Sequence, residues 1–169
     1  MKRTLLVDTN RAAYPIYKAL RERGHEVWVV GANPNETLAK LAENFVQLDY
    51  SHKEAMTEFI AEKGFDYLVP GCTDLSYQIC AEISNGRFPG IDTTENTYLI
   101  NAKDAFRRKA TELSLSVPQV LNERDALEAE AIIIKPVDAF SGRGINVLYK
   151  PTKETLNEAI RTSSNASRS

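Results

Sequence analysis

Short apolar runs alternate with amphipathic helical patterns over the first ninety residues. Four runs have the length and composition of buried strands: Thr4–Val7, Val27–Val30, Phe45–Leu48 and Tyr67–Val69. Strands that are apolar on both faces and separated by helices are typical of a parallel sheet covered by helices, with right-handed crossovers. The pattern therefore predicts an α/β domain with an open parallel sheet.

Local signals mark where the helices between these strands begin and end. Pro15 suits the first turn of a helix that runs to Arg23, and Gly24 follows it. The sequence Ser51-His52-Lys53-Glu54 is a capping-box pattern. After Pro70-Gly71, the spacing of Leu75, Ile79 and Ile83 predicts a further helix.

The pattern changes after a break at Gly86–Asp92. It predicts one long helix over Thr97–Leu113, and then two apolar strands, Ala131–Ile134 and Ile145–Leu148, joined by a long loop. Strands joined in this way favour an antiparallel pair with a functional loop. Thr152 is expected to cap a short helix, and the polar segment Thr162–Ser169 is expected to be a flexible tail. We expect two domains, over residues 1–95 and 96–169.

Composition excludes several classes of protein. With 43% apolar and 26% charged residues and a formal net charge of -2, the chain suits a globular protein that binds neither nucleic acid nor an anionic membrane in bulk. The first apolar stretch is too short for a signal peptide, so we expect a cytoplasmic protein with Cys72 and Cys80 reduced. Two cysteines and two histidines without zinc-ligand spacing predict no metal site.

Familiar nucleotide and nucleophile motifs are absent from the sequence. The turn after the first strand, Asp8–Ala13, has no glycine with which to approach a pyrophosphate, so a dinucleotide site is disfavoured. The sequence also contains no P-loop and no nucleophile elbow.

The segment Ile132–Leu148 carries the most chemical information. Lys135 ends a buried strand, and Ser141-Gly142-Arg143-Gly144 offers unobstructed backbone amides and one guanidinium, which together suit an anion. The alternative is a plain hairpin turn in which Gly142 and Gly144 supply positive φ angles.

The order of these features resembles the ATP-grasp superfamily. The helix from Asn101-Ala102-Lys103-Asp104 to Ser116-Val117-Pro118, the strand ending in Lys135-Pro136 and the Ser141–Gly144 loop follow one another as in that superfamily. The first ninety residues are similar to the open α/β pre-ATP-grasp domain, a Rossmann-like domain found in relatives of biotin carboxylase and the carbamoyl-phosphate synthase large subunit. The resemblance implies that residues 96–169 are the incomplete N-terminal part of an α+β ATP-grasp domain.

The resemblance also implies roles for residues. Lys103 and Lys135 would neutralise ATP phosphates, and the loop of Ser141, Gly142, Arg143 and Gly144 would cover the β- and γ-phosphates. Candidates for contact with the acceptor substrate lie in the strand-end loops: Asn10, Arg11, Thr73 and Asp74. Three simpler alternatives stay open: Lys103 belongs to a basic helix face, Arg11 is a surface residue, and Asp74 caps a helix. The adenine-binding strands and the Mg²⁺ ligands would follow residue 169.

These features predict the N-terminal portion of an ATP-dependent ligase. Such an enzyme joins a small-molecule carboxylate to an amine or thiol through an acyl phosphate. The alternative is a non-catalytic α/β small-ligand-binding or interaction module completed by a partner chain. We expect this chain alone to be inactive towards ATP. Open strand edges within residues 120–169 favour association with a second copy or with a complementary C-terminal chain.

Overall fold

The computed structural model describes residues 1–136 and 142–167. The chain divides after Tyr98 into two units, Met1–Tyr98 and Leu99–Ser169, each described here by itself. The assignment of residues 1–95 and 96–169 to a pre-ATP-grasp domain and the beginning of an ATP-grasp domain stays a prediction.

The first unit is built on a parallel sheet with the spatial order β3-β2-β1-β4. Its strands are β1 (Arg3–Val7), β2 (Glu26–Gly31), β3 (Asn44–Gln47) and β4 (Tyr67–Pro70). The open parallel α/β fold predicted from the apolar runs is therefore confirmed. Because the strand order reverses at β1, the carboxyl ends of β1 and β4 border the crevice in which such sheets bind ligands.

Helices join the strands and cover both faces of the sheet. They are α1 (Tyr14–Glu22), α2 (Thr37–Leu41), α3 (Lys53–Lys63) and α4 (Asp74–Ser84), with a 3-10 turn at Arg11–Ala13 before α1. Leu5 and Val7 pack into one buried cluster with Met56 and Ile60, whereas Leu6 packs into a second cluster on the other face. Successive side chains of β1 point to opposite faces, so both faces are apolar.

One predicted detail of the first unit is wrong. Ser51 does not cap α3: its hydroxyl donates to Asp49 Oδ1 at 2.7 Å, and His52 stands at the N-cap without a side-chain bond. The capping pattern is present in the sequence, but the turn at Asp49 gives the Ser51 hydroxyl a different partner.

The long helix predicted over Thr97–Leu113 is two helices. Helix α5 spans Thr94–Asn101 and helix α6 spans Lys103–Glu112, separated by Ala102 in an extended conformation. The second unit continues with α7 (Glu123–Glu128). In α6, Ala105 and Ala110 are buried, whereas Phe106 is 49% exposed.

Strands β5 (Ala131–Ile134) and β6 (Asn146–Tyr149) form the predicted antiparallel pair, with Ile132 opposite Leu148. Helix α8 (Lys153–Asn165) follows, and a capping box between Thr152 and Thr155 opens it. The flexible tail predicted over Thr162–Ser169 is wrong for its first four residues, because α8 continues to Asn165 and Ser163 is only 5% exposed. Arg168 and Ser169 lie outside the described residues. Leu156 of α8 packs with Ile132 in a small core.

None of the helices in the described residues is both long enough and apolar enough to cross a bilayer.

Candidate functional site

Asp8 connects the loops that follow β1 and β4. Its carboxylate accepts hydrogen bonds from the Asn10 amide at 3.0 Å, the Asn10 side chain at 2.7 Å and the Cys72 amide at 3.1 Å. Asp8 is only 3% exposed and has a φ of 148°, a conformation rare for a residue with a side chain. A buried carboxylate with several donors is well satisfied, so Asp8 holds the two loops together.

Asn10 and Thr73, two predicted substrate-loop residues, both act as helix caps. The Asn10 side chain accepts from the amides of Ala12 and Ala13, and the Thr73 hydroxyl accepts from the amide of Ser76 at 3.2 Å. These bonds satisfy amides that the first turns leave unpaired. The sequence suggested Asp74 as the cap of α4, but the cap is Thr73, and Asp74 is an exposed residue of the first turn.

The remaining side chains at this edge of the sheet are mainly acidic or hydroxylated. Thr9 is buried, and its hydroxyl donates to Glu36. Tyr50 lies 3.4 Å from Thr73, hydroxyl to hydroxyl. Burial raises the pKa of Tyr50, the bond with Thr73 opposes this effect, and the negative charges of Asp8, Glu36 and Asp49 add to it. Tyr50 is therefore a neutral hydroxyl that can donate or accept. Arg11, in the loop after β1, is exposed.

In the second unit, Lys103 and the glycine turn meet at Pro136. Lys103 is the first residue of α6, and its ammonium donates to the carbonyl of Pro136 at 3.4 Å. On its other side, the Pro136 ring packs against Gly144, where an added Cβ would lie 2.8 Å from Pro136 Cγ. The structure therefore brings two predicted phosphate-binding elements, Lys103 and Gly144, to the same proline.

The glycine turn is described from Gly142 onward, and Ser141 lies outside the described residues. Gly142 and Gly144 have φ angles of 75° and 70°, which favour glycine. The amide of Ile145 donates to the Gly142 carbonyl at 3.4 Å. The amides of Arg143 and Gly144 donate to no acceptor within residues 1–136 and 142–167, and Arg143 is exposed. Unused amides and a guanidinium fit an anion such as a phosphate.

Lys135 lies in a different setting from Lys103. It follows β5 and lines a cavity of about 550 Å³ together with Arg107, Gln119, Asn122 and residues of β5. Among the described residues, neither Lys103 nor Gly144 lines this cavity. Lys135 thus lies next to Pro136 in the chain, but among the described residues it makes no hydrogen bond or ion pair with the glycine turn.

Residues that could hold a metal ion do not gather in the described part of the chain. Within residues 1–136 and 142–167, no group of three or more His, Cys, Asp or Glu side chains is arranged to hold a metal. The described residues thus offer hydrogen-bond donors that suit a phosphate, but no cluster of side chains that suits a metal ion.

The site includes residues that sequence reasoning missed. Asp8, Tyr50 and Ser163 were not candidates, although a carboxylate directly after the buried run Leu5-Leu6-Val7 was a visible signal for Asp8. Tyr50 and Ser163 gave no such signal, because their environments come from residues 23 and 19 positions away in the chain.

Known proteins resemble this chain in sequence and in fold, although no protein-family model matches the sequence. A formate-dependent phosphoribosylglycinamide formyltransferase from Prochlorococcus marinus is 26% identical over 176 aligned residues, which cover 99% of this chain and 45% of the relative. The chain thus spans less than half the length of the curated relative that it matches.

Solved structures show the same fold. The N5-carboxyaminoimidazole synthetase of Staphylococcus aureus, complexed with ADP, matches 98% of this chain and 45% of its own with a TM-score of 0.73 at 12% identity. The biotin carboxylase domain of Hydrogenobacter thermophilus 2-oxoglutarate carboxylase, complexed with MgADP, ADP and bicarbonate, matches 98% of this chain and 40% of its own, with a TM-score of 0.70 at 18% identity. The resemblance stated from the sequence is therefore confirmed at the level of the fold, which this chain shares with less than half of the length of each of these two proteins.

Proposed function

We propose that this chain supplies the N-terminal portion of an ATP-dependent ligase that joins a small-molecule carboxylate to an amine or a thiol. In the proposed reaction a carboxylate oxygen attacks the γ-phosphorus of ATP, and the bond to the β-phosphate oxygen breaks to release ADP. The amine or thiol then attacks the acyl carbon and displaces inorganic phosphate. Such transfers depend on charge compensation and positioning.

The observation that carries the proposal is the meeting of Lys103 and Gly144 at Pro136. The Lys103 ammonium has three N–H donors, and its bond to the Pro136 carbonyl uses one of them. The amides of Arg143 and Gly144, which have no acceptor among the described residues, and the exposed Arg143 guanidinium are the kinds of donor from which phosphate oxygens accept hydrogen bonds. We assign Lys135 to the same phosphates, approached from the end of β5.

We place the acceptor substrate at the carboxyl ends of β1 and β4. Polar groups of the strand-end loops are fixed there by Asp8, and the Tyr50 hydroxyl is neutral. Arg11 and Asp74 are exposed in these loops and are the candidates for direct contact. Mg²⁺ accompanies ADP in the structure of one similar protein, but we assign no Mg²⁺ ligand among the described residues.

ADP titration of the purified chain tests the phosphate site. We expect affinity of about 1 mM or weaker, since we assign contacts to the phosphates alone. We expect about tenfold weaker binding for Lys103→Ala and for Lys135→Ala, because each loses one charge-assisted contact. Lys109→Ala is the matched control, because Lys109 lies on the same helix and pairs with Glu112. Calorimetry or ligand-observed NMR measures each affinity.

The outcomes separate the proposal from its alternatives. If Lys103→Ala weakens ADP binding no more than Lys109→Ala does, Lys103 belongs to a basic surface face. If neither Lys103→Ala nor Lys135→Ala changes binding, the phosphate site is wrong, and a non-catalytic binding module becomes the better hypothesis. ADP release from ATP by this chain, abolished in Lys135→Ala, would contradict the expectation that the chain alone is inactive.

A further inference from the structure

Ser163 lies in the last full turn of α8 and reaches the glycine turn. Its hydroxyl donates to the carbonyl of Gly144 at 2.5 Å, across 19 residues of sequence. Ser163 is 5% exposed, so this bond is shielded from water. A buried serine needs a partner, and here that partner is a backbone carbonyl of the turn.

Asn146, the first residue of β6, reinforces the same carbonyl. Its side-chain amide donates to the Gly144 carbonyl at 3.2 Å and lies 3.2 Å from Ser163 Oγ and 3.4 Å from the Ala159 carbonyl. Asn146 and Ser163 therefore converge on one oxygen atom and on each other. Hydrogen bonds that share partners in a shielded environment restrict each other's geometry.

Close packing holds Gly144 from the opposite direction. An added Cβ would lie 2.6 Å from the Ala166 Cβ and 2.8 Å from Pro136 Cγ. Gly144 is thus closely packed between the end of α8 and Pro136, whose carbonyl accepts the hydrogen bond from Lys103. An alanine at this position would require its neighbours to move.

We propose that Ser163 and Asn146 are positioning residues that fix the carbonyl of Gly144 and so aim the turn's amides at phosphate. The peptide bond from Gly144 to Ile145 is planar, so the direction of the carbonyl sets the direction of the Ile145 amide, which closes the turn onto Gly142. With the turn closed, the amides of Arg143 and Gly144 stay available. The inference rests on the proposed function, because phosphate is the ligand of that function.

We call the contacts of Ser163 and Asn146 with the Gly144 carbonyl the clamp. Amide hydrogen exchange in the free protein tests the clamp without any nucleotide. In Ser163→Ala we expect the Ile145 amide to exchange about fivefold faster, the factor that one lost neutral hydrogen bond allows. Ser164→Ala is the matched control, since Ser164 is an exposed serine of the same turn. Asn146→Asp is a second variant that keeps the shape but places an acceptor against the carbonyl, and we expect a larger increase.

ADP affinity then tests whether the clamp serves phosphate. We expect about fivefold weaker binding in Ser163→Ala and unchanged binding in Ser164→Ala, the same factor as for exchange. The inference is overturned if exchange at Ile145 is the same in Ser163→Ala and Ser164→Ala. It is also overturned if Ser163→Ala binds ADP normally while Lys135→Ala does not. If Lys135→Ala also binds normally, the proposed function fails, and the exchange result decides the clamp alone.

Discussion

The carboxylate of Asp8 accepts a hydrogen bond from the backbone amide of Cys72, 64 residues further along the chain. Both carboxylate oxygens act as acceptors: Oδ1 receives the Asn10 amide, and Oδ2 receives the Asn10 side chain and the Cys72 amide. The backbone after β4 lies so close that a Cβ at Gly71 would be 2.1 Å from Asp8 Cβ. Asp8 and Gly71 therefore define the crevice at the carboxyl ends of β1 and β4.

Asp8→Asn tests this connection. An asparagine has one acceptor oxygen, so its amide group must face at least one of the three donors, and a buried donor loses its partner. We expect the free energy of unfolding to fall by about 2 kcal/mol. Urea unfolding followed by circular dichroism measures the change. Asp92→Asn, at an exposed aspartate of the same unit, should leave stability nearly unchanged, and equal effects at the two positions would refute the connecting role of Asp8.

Gly142 and Gly144 form a matched pair for testing the close packing of Gly144 against Pro136 and Ala166. Both have positive φ angles, but a Cβ at Gly142 meets no atom within 4 Å, whereas one at Gly144 meets Ala166 at 2.6 Å. Alanine should cost about 1 kcal/mol at either position for its φ angle. At Gly144 we expect about 2 kcal/mol more from overpacking. Denaturant midpoints of the two variants measure the difference. Similar midpoints would show that Pro136 and Ala166 move aside at little cost in stability.

Ile132 and Ile133 test which face of the β5–β6 pair is the core. Ile132 is 7% exposed and packs with Leu156, whereas Ile133 is 65% exposed. Ile132→Ala should lower the free energy of unfolding by about 3 kcal/mol. Ile133→Ala should change it by about 0.5 kcal/mol or less. Thermal or chemical unfolding that reports on the second unit gives both values, and the reverse ranking would mean that the pair has the opposite face inward.

Cys80 should make stability depend on alkaline pH. Burial raises the pKa of its thiol from 9.0 to about 12. The unfolded thiol loses its proton above about pH 9, while the folded thiol keeps it until about pH 12. The unfolded state therefore binds fewer protons in this window, and stability falls as the pH rises through it.

Cys80→Ala isolates this contribution. Lysine and tyrosine ionisation affects both proteins and cancels in the comparison. We expect the difference in unfolding free energy between the wild type and Cys80→Ala to be constant below pH 9 and to shift against the wild type towards pH 12. Urea unfolding at stepped pH values measures it. Parallel curves for the two proteins across the window would show that the thiol is not shielded in the folded state.

Much of the fold followed from local pattern. The apolar run Thr4–Val7 predicted β1, because a strand buried by its neighbours must be apolar along its length. The run Ala131–Ile134 predicted β5 by the same pattern, although Ile133 is exposed in the structure. Thr152 predicted the start of α8 for an equally local reason, since a cap bonds to an amide three residues away. The parallel sheet and the antiparallel pair followed from the lengths of the connections.

Local pattern failed where a tertiary contact supplied the stabilisation. Thr162–Ser169 is polar and reads as a tail, yet α8 extends to Asn165, where the buried Ser163 bonds to Gly144. Phe106 and Leu75 are apolar residues of predicted helices that the structure leaves 49% and 44% exposed, which spacing along the chain does not reveal. A single helix over Thr97–Leu113 was equally consistent with the spacing, and only the structure contains the break at Ala102.

The sequence by itself determined the types and order of the strands and of most helices, and it made Lys103, Lys135 and the turn to Gly144 the candidates for phosphate contact. Those properties depend on neighbours a few positions apart. Only the tertiary structure decided which of them meet, placing Lys103 and Gly144 at Pro136 and Ser163 behind Gly144, and joining Asp8 to Cys72. Hydrogen bonds between residues 19 to 64 positions apart depend on how helices and strands pack, and no local periodicity encodes that packing.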